Sequence, residues 1–300
     1  MAATQSIALP SRRSYTSALR DYYTLTKPEV NLLILMTTSA GYYLASRGPF
    51  RFFGLIHTLV GTLLVASGTA TLNQWMERRW DGEMRRTANR PLPSGRLSPR
   101  AALAFGLGLS IAGGIYLALA VNSLSAILAV STLLSYLLLY TPLKRKTALC
   151  TMLGAIPGAM PTLIGWAGAS GNIDIRAWGL FAVLFLWQFP HFLAIALMYR
   201  DDYARAGYHM LPSFDLDSRF TSAEIVFFTI ALMVTTMLPL MGRATAPYAI
   251  GMGMAGIFLL YHAANLTRSG SKILASRLVH ASVIYLPVVL AIMMVGKTWN

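Results

Sequence analysis

The chain has one cysteine, Cys150, in 300 residues, so it can form no disulfide within itself. Charge is also scarce. Asp, Glu, Lys and Arg make up 12% of the residues, and only 11 are acidic. Hydrophobic residues reach 55% and mean hydropathy is +0.55, which excludes an ordinary soluble domain. Strands of about ten alternating residues are missing, which excludes an outer-membrane barrel. The first 29 residues lack an apolar core, so no cleavable secretory signal is expected. There is no convincing Ser-His or Cys-His site for nucleophilic catalysis.

What is present is a series of apolar runs of about 17–25 residues, each long enough to cross about 30 Å of hydrocarbon. An all-α, polytopic membrane protein is expected. Nine spans are predicted, near Val30–Ala45, Phe53–Trp75, Ala101–Val121, Leu124–Tyr140, Leu149–Ala169, Ala177–Met198, Ala223–Met241, Tyr248–Leu266 and Val279–Val295. The fifth carries Gly154, Pro157, Gly158 and Pro161, so a kink or close packing is expected there. Gly106, Ser110 and Gly114 step by four and suit a helix-packing face.

Net charge is +14. In so apolar a chain this reflects topology, and no nucleic-acid partner is expected. Twenty Lys and Arg fall on the side of the N-terminus and alternate loops, and only Arg47, Arg51, Arg176, Arg243 and Lys297 on the other. The N-terminus, residues 1–29, is therefore expected as a cytoplasmic tail, followed by a membrane domain over 30–300. A bacterial inner membrane is the expected location. The Ser/Thr-rich start with Arg12, Arg13 and Arg20 weakly resembles a mitochondrial transit peptide, so the mitochondrial inner membrane is the alternative. Of the acids, only Asp174 falls on the far side. Topology alone does not require carboxylates beside the inner cations.

One inner segment explains them. Asn73, Glu77 and Asp81 are four residues apart, so on a helix they share one face. An amide and two carboxylates suit a hard cation such as Mg²⁺. Arg85, Arg86, Arg90 and Arg96 follow, in a loop of turn formers that is able to fold back and offer guanidinium forks to phosphate. Tyr140, Lys144 and Arg145 form a second inner group, suited to neutralising a departing diphosphate. A third holds Asp201, Asp202 and Tyr203, with Asp202 a candidate ligand for a second Mg²⁺. His191 lies inside an apolar span. It is either a core histidine bonded to a neighbouring helix or a contact to a buried acceptor.

These segments resemble the UbiA superfamily of intramembrane prenyltransferases over nearly the whole chain. Asn73-x-x-x-Glu77-x-x-x-Asp81 is similar to the first Asp-rich motif of that family, with Glu77 where many members have Asp. Tyr140-x-x-x-Lys144-Arg145 is similar to another shared element. Lys27-Pro28-Glu29-Val30 and Trp187-Gln-Phe-Pro-His-Phe192, followed by Asp202-Tyr203 and Met210-Leu211-Pro212, resemble the heme-farnesylating branch. The usual second acidic motif has two Asp four residues apart. Here Asp201 and Asp202 are adjacent.

The resemblance implies a helix bundle around a central cavity open near the cytoplasmic face. Its substrates would be farnesyl diphosphate and heme B, the product heme O, and its surroundings membrane lipid. Mg²⁺ would be held by Asn73, Glu77, Asp81 and Asp202, with Tyr203 beside them in the catalytic group. Lys27, Arg86, Arg90, Tyr140, Lys144 and Arg145 would bind the diphosphate, and His191 would contact heme. A heme A synthase downstream is a possible partner. Another prenyl acceptor remains the alternative. A transporter is disfavoured, since the carboxylates cluster at one membrane face and no clear internal repeat is present.

Overall fold

The computed structural model describes residues 15–215, 217–238 and 245–297. Thirteen helices are described: α1 Tyr15–Leu25, α2 Pro28–Ala45, α3 Phe52–Asp81, α4 Pro99–Ala120, α5 Ser123–Ser135, α6 Thr141–Leu143 and α7 Cys150–Ser170. They continue as α8 Ile175–Met198, α9 Arg200–Arg205, α10 Leu211–Phe214, α11 Arg219–Met237, α12 Ala246–Ser269 and α13 Lys272–Val295. A π-helical turn, Tyr136–Tyr140, joins α5 to α6 without a break. Side-chain caps start several of them. Ser98, Asn122, Asp174 and Ser271 each accept from a backbone N–H in the first turn.

Eight of the described helical segments are long and apolar enough to cross a membrane. The first expected span, Val30–Ala45, coincides with α2, which is helical but is not among the eight. Glu29, Asn31 and a Thr37-Thr38-Ser39 run dilute its apolar character. Arg243 and residues 239–241 of the seventh expected span lie outside the described residues. The second span runs further than expected, to Asp81, so Asn73, Glu77 and Asp81 lie on one continuous helix.

The core joins α2, α7, α8, α11, α12 and α13. Its tightest crossing is α2 on α7. A methyl group added to Gly41 would strike the Thr162 carbonyl, and one on Gly165 the Thr38 carbonyl. Two glycines thus let the two backbones touch. Pro157 and Pro161 lie inside α7, which nevertheless runs unbroken from Cys150 to Ser170. The expected small-residue face on α4 is present but shifted. Gly106, Ser110 and Gly113 meet α3, while Gly114 faces Val130 of α5.

The expected tail contains α1. Leu25 is fully buried and packs with Leu92, Leu97 and Ala102, flanked by Tyr22 and Trp75. Asp21 accepts from Arg96 Nε at 2.9 Å. Helix α1 and the loop after α3 are therefore fastened to each other at the acidic end of the bundle.

Candidate active site

Helix periodicity puts Asn73, Glu77 and Asp81 on one face of α3, and packing buries that face. The three residues are 1%, 5% and 1% exposed. Each finds a cation. Lys144 Nζ donates to both Glu77 oxygens, at 3.0 and 3.3 Å. Arg90 Nη1 lies 2.8 Å from Asp81 Oδ2. Lys27 Nζ donates to Asn73 Oδ1 at 3.2 Å. Charge-assisted bonds of this kind are the ones able to hold buried ions.

Each cation is positioned by its own local device. Lys144 follows the π turn. There Thr141 N–H reaches back five residues to the Tyr136 carbonyl, and Thr141 Oγ1 donates to that carbonyl as well. The wide turn aims Thr141 Oγ1 at Asn73, whose Nδ2 donates to it at 3.2 Å. The Lys144 ammonium sits 4.5 Å from the Tyr140 ring centre. Burial disfavours that ammonium, but Glu77, with Tyr140 and Tyr136, outweighs it and holds its pKa well above the lysine range.

Arg90 is carried by the loop that folds back after α3. Thr87 Oγ1 donates to the Asp81 carbonyl at 2.6 Å, which tucks the loop under the helix end. Lys27 stands in the left-handed region, at φ 51° and ψ 64°, where a side chain other than glycine is uncommon. Two buried amides hold the turn before it. Gln74 donates to the Leu25 carbonyl at 2.8 Å, and Asn31 to the Thr26 carbonyl at 2.9 Å. Asn31 also donates to Ser67 Oγ of α3. Burial, then Arg90 and Lys144, bring the Lys27 pKa down to about 7.

The remaining expected residues form neighbouring groups. Arg145 lies over the Trp80 ring at 4.4 Å, beside the cluster. Arg86 stacks on Tyr199 at 4.5 Å and donates to the Tyr203 hydroxyl. Asp202 is paired with Arg205. Asp201 is exposed and paired with Lys272. Among the described residues, no three of His, Cys, Asp and Glu converge on one point. His191 is on α8, where its ring stacks on Trp187 at 4.7 Å.

His191 Nδ1 lies 2.8 Å from Ser282 Oγ, a hydroxyl that also lies 2.7 Å from the Val279 carbonyl, so the ring is tied to α13 through Nδ1.

Sequence reasoning missed Thr141, Asn31, Gln74 and Tyr208. The Tyr208 hydroxyl is buried close to the Glu77 carboxylate. Its ring packs edge-on against Tyr203, with Lys144 Nζ 5.9 Å from the ring centre. Burial and the Glu77 carboxylate push its pKa upward, so it is a proton donor at any working pH. No spacing rule links residue 208 to residue 77. Only the fold brings them close.

A buried oxygen-donor face is thus met by cations from three segments at one end of a helical bundle. Residues 34–293 match the UbiA prenyltransferase family. The chain belongs to that family and is a multi-pass membrane prenyltransferase.

Among its relatives, the protoheme IX farnesyltransferase of Solibacter usitatus is 48% identical over 289 residues, covering 93% of this chain and 99% of that protein. A structure described for digeranylgeranylglyceryl phosphate synthase superposes with a TM-score of 0.75 at 20% identity, covering 93% of this chain and 98% of that one. A UbiA homolog from Archaeoglobus fulgidus, bound to DMAPP and Mg²⁺, gives a TM-score of 0.68 at 14% identity, covering 91% of this chain and 99% of that one.

Proposed function

We propose that the chain transfers the farnesyl group of farnesyl diphosphate to a vinyl group of heme B. Water addition completes the reaction, giving heme O and diphosphate. The carrying observation is the buried Asn73–Glu77–Asp81 face, with Lys144, Arg90 and Lys27 bonded to it. The similarity to the Solibacter usitatus protoheme IX farnesyltransferase supports the choice of acceptor.

The donor set fits Mg²⁺. It is all oxygen and buried, and Mg²⁺ is usually held by one or two carboxylates plus substrate phosphates rather than by a complete protein cage. Glu77 and Asp81, with Asn73 Oδ1, would hold the ion, and Asp202 is the candidate for a second. The ion supplies Lewis-acid stabilisation of the diphosphate oxygens.

The protein's own groups do the rest. Lys144, Arg90 and Lys27 transfer hydrogen bonds from the α3 face to the diphosphate, and Arg86 and Arg145 extend the positive rim. Their charge stabilises the leaving group as the C1–O bond breaks. The allylic cation then lies among apolar helix faces, away from bulk water. A heme vinyl carbon bonds to C1, water adds to the resulting cation, and a proton is lost. His191, a partly buried imidazole on α8, is the residue that would contact the heme.

The test is to incubate purified protein with farnesyl diphosphate, Mg²⁺ and either heme B or 4-hydroxybenzoate. Mass spectrometry should find heme O in the first tube and no prenylated product in the second. The reverse result would replace the acceptor, and no diphosphate release in either would remove the enzymatic reading. For the histidine, His191→Ala is expected to shift the absorption spectrum of bound heme. An unchanged spectrum would return His191 to a purely packing role.

Tyr208 gives a further check. Tyr208→Phe removes one buried hydroxyl beside the Glu77 carboxylate, so stability should change by no more than about 1–2 kcal/mol. Turnover should fall on the order of 10²-fold, as when one hydrogen-bond donor to a developing anion is lost. Equal turnover in the two proteins would show that the hydroxyl never meets the diphosphate.

A further inference from the structure

The face opposite the acidic cluster has few cations, yet those it has converge. Arg47, Arg51, Arg176 and Lys297 are four of the five Lys and Arg on that side, and all four line a single cavity of about 500 Å³. Asp174 is the one carboxylate among them, leaving three net positive charges. Asp174 is already engaged. It accepts from the Arg176 and Ala177 backbone N–H groups at the start of α8. It also pairs with Arg176 at 3.0 Å, with Arg47 Nη2 3.9 Å away.

The cavity lies where the ends of α2, α3, α7 and α8 meet residue 297. It is lined in part by Leu44 and Trp166, which belong to the buried core. Its rim is cationic and open, and the Arg47 side chain is 70% exposed. Lys297 is engaged within the fold as well, since its ammonium donates to the Tyr43 and Ser46 carbonyls at 2.6 Å, and the other cations remain for a ligand. Membrane proteins disfavour Lys and Arg at this face, so their convergence on one hollow calls for a ligand.

The cavity is separate from the reaction site. Arg51 precedes α3 and Glu77 lies near its far end. At about 1.5 Å per residue the two are about 39 Å apart along the helix, much longer than a porphyrin.

We propose that this cavity is a second binding site, for the phosphate headgroup of an anionic lipid in the leaflet opposite the acidic cluster. The guanidinium rim matches phosphate oxygens by forked hydrogen bonds. The cavity lies at the ends of the membrane-crossing helices α3, α7 and α8, at headgroup level, where lipid is the most concentrated source of phosphate.

The test compares protein in phosphatidylcholine nanodiscs with and without phosphatidylglycerol, read by native mass spectrometry and by melting temperature. The wild type should retain phosphatidylglycerol and melt higher in its presence. Arg47→Gln/Arg51→Gln should weaken retention by about tenfold or more, as expected for two lost charge-assisted bonds. Farnesyl transfer should be unchanged. Arg268→Gln, which removes a charge at the other face, should behave as wild type. Undiminished retention by the double variant would overturn the site. A third arm adds inorganic phosphate in detergent. If phosphate alone protects as well as the lipid does, and the double variant loses that protection, the ligand is a soluble phosphate and the lipid assignment falls.

Discussion

Asp81→Asn is expected to leave a folded, inserted protein whose turnover falls by at least about 10²–10³-fold, the scale of losing one preorganised group at a developing charge. The substitution keeps the shape of the side chain, and the amide oxygen still accepts from Arg90. The loop after α3 should stay in place, because Thr87 bonds the backbone carbonyl of residue 81 rather than its side chain. Only the negative charge is lost, and that charge is what a divalent ion needs. Diphosphate release measured across a Mg²⁺ titration separates the possibilities. A normal maximal rate at the ordinary Mg²⁺ requirement would remove Asp81 from the metal site.

Lys144→Met should act on both stability and chemistry. Glu77 and Lys144 have side chains only 6% and 13% exposed. Removing the lysine strands a buried carboxylate, and breaking such a pair costs about 3–5 kcal/mol. Melting should fall by many degrees, and turnover should be lost with the ammonium. A second substitution disentangles the two effects. Glu77→Gln in the same protein removes the stranded charge, so most of the stability should return. Activity should not. If the single variant melted like wild type, the ion pair would have no structural weight. If the double variant regained turnover, neither side chain would belong to the reaction.

The parts of the molecule that repeat along one helix were legible in the sequence. The four-residue step of Asn73, Glu77 and Asp81 implied a shared face, and α3 delivers it. Most of the spans were legible for the same reason, since hydropathy is a sum over neighbours. Helix α2 was harder, because its polar residues face protein: Asn31 is spent on Ser67 and the Thr26 carbonyl. Pairings across the chain were not legible. That Arg90 serves Asp81 while Arg86 stacks on Tyr199 depends on how a turn-rich loop folds, and both arginines look alike in sequence. Tyr208 carried no signal at all. Helix α1 was hidden because it is too polar to register as an apolar run, although its Leu25 is fully buried.

The π turn at Tyr136–Tyr140 has a consequence for angular phase. An α-helix advances about 100° per residue, and the π turn absorbs one extra residue before α6. Everything beyond it is therefore set one step out of phase with α5. If the same residues closed instead as a regular α-helix, the lipid-facing half of α5 would be untouched, but Thr141 and Lys144 would swing by about 100° away from α3. The ammonium would then leave the carboxylate, and Glu77 would lose its partner although no residue of the acidic motif had changed. For this chain, the insertion state of that one turn is as much a part of the active site as the carboxylates are.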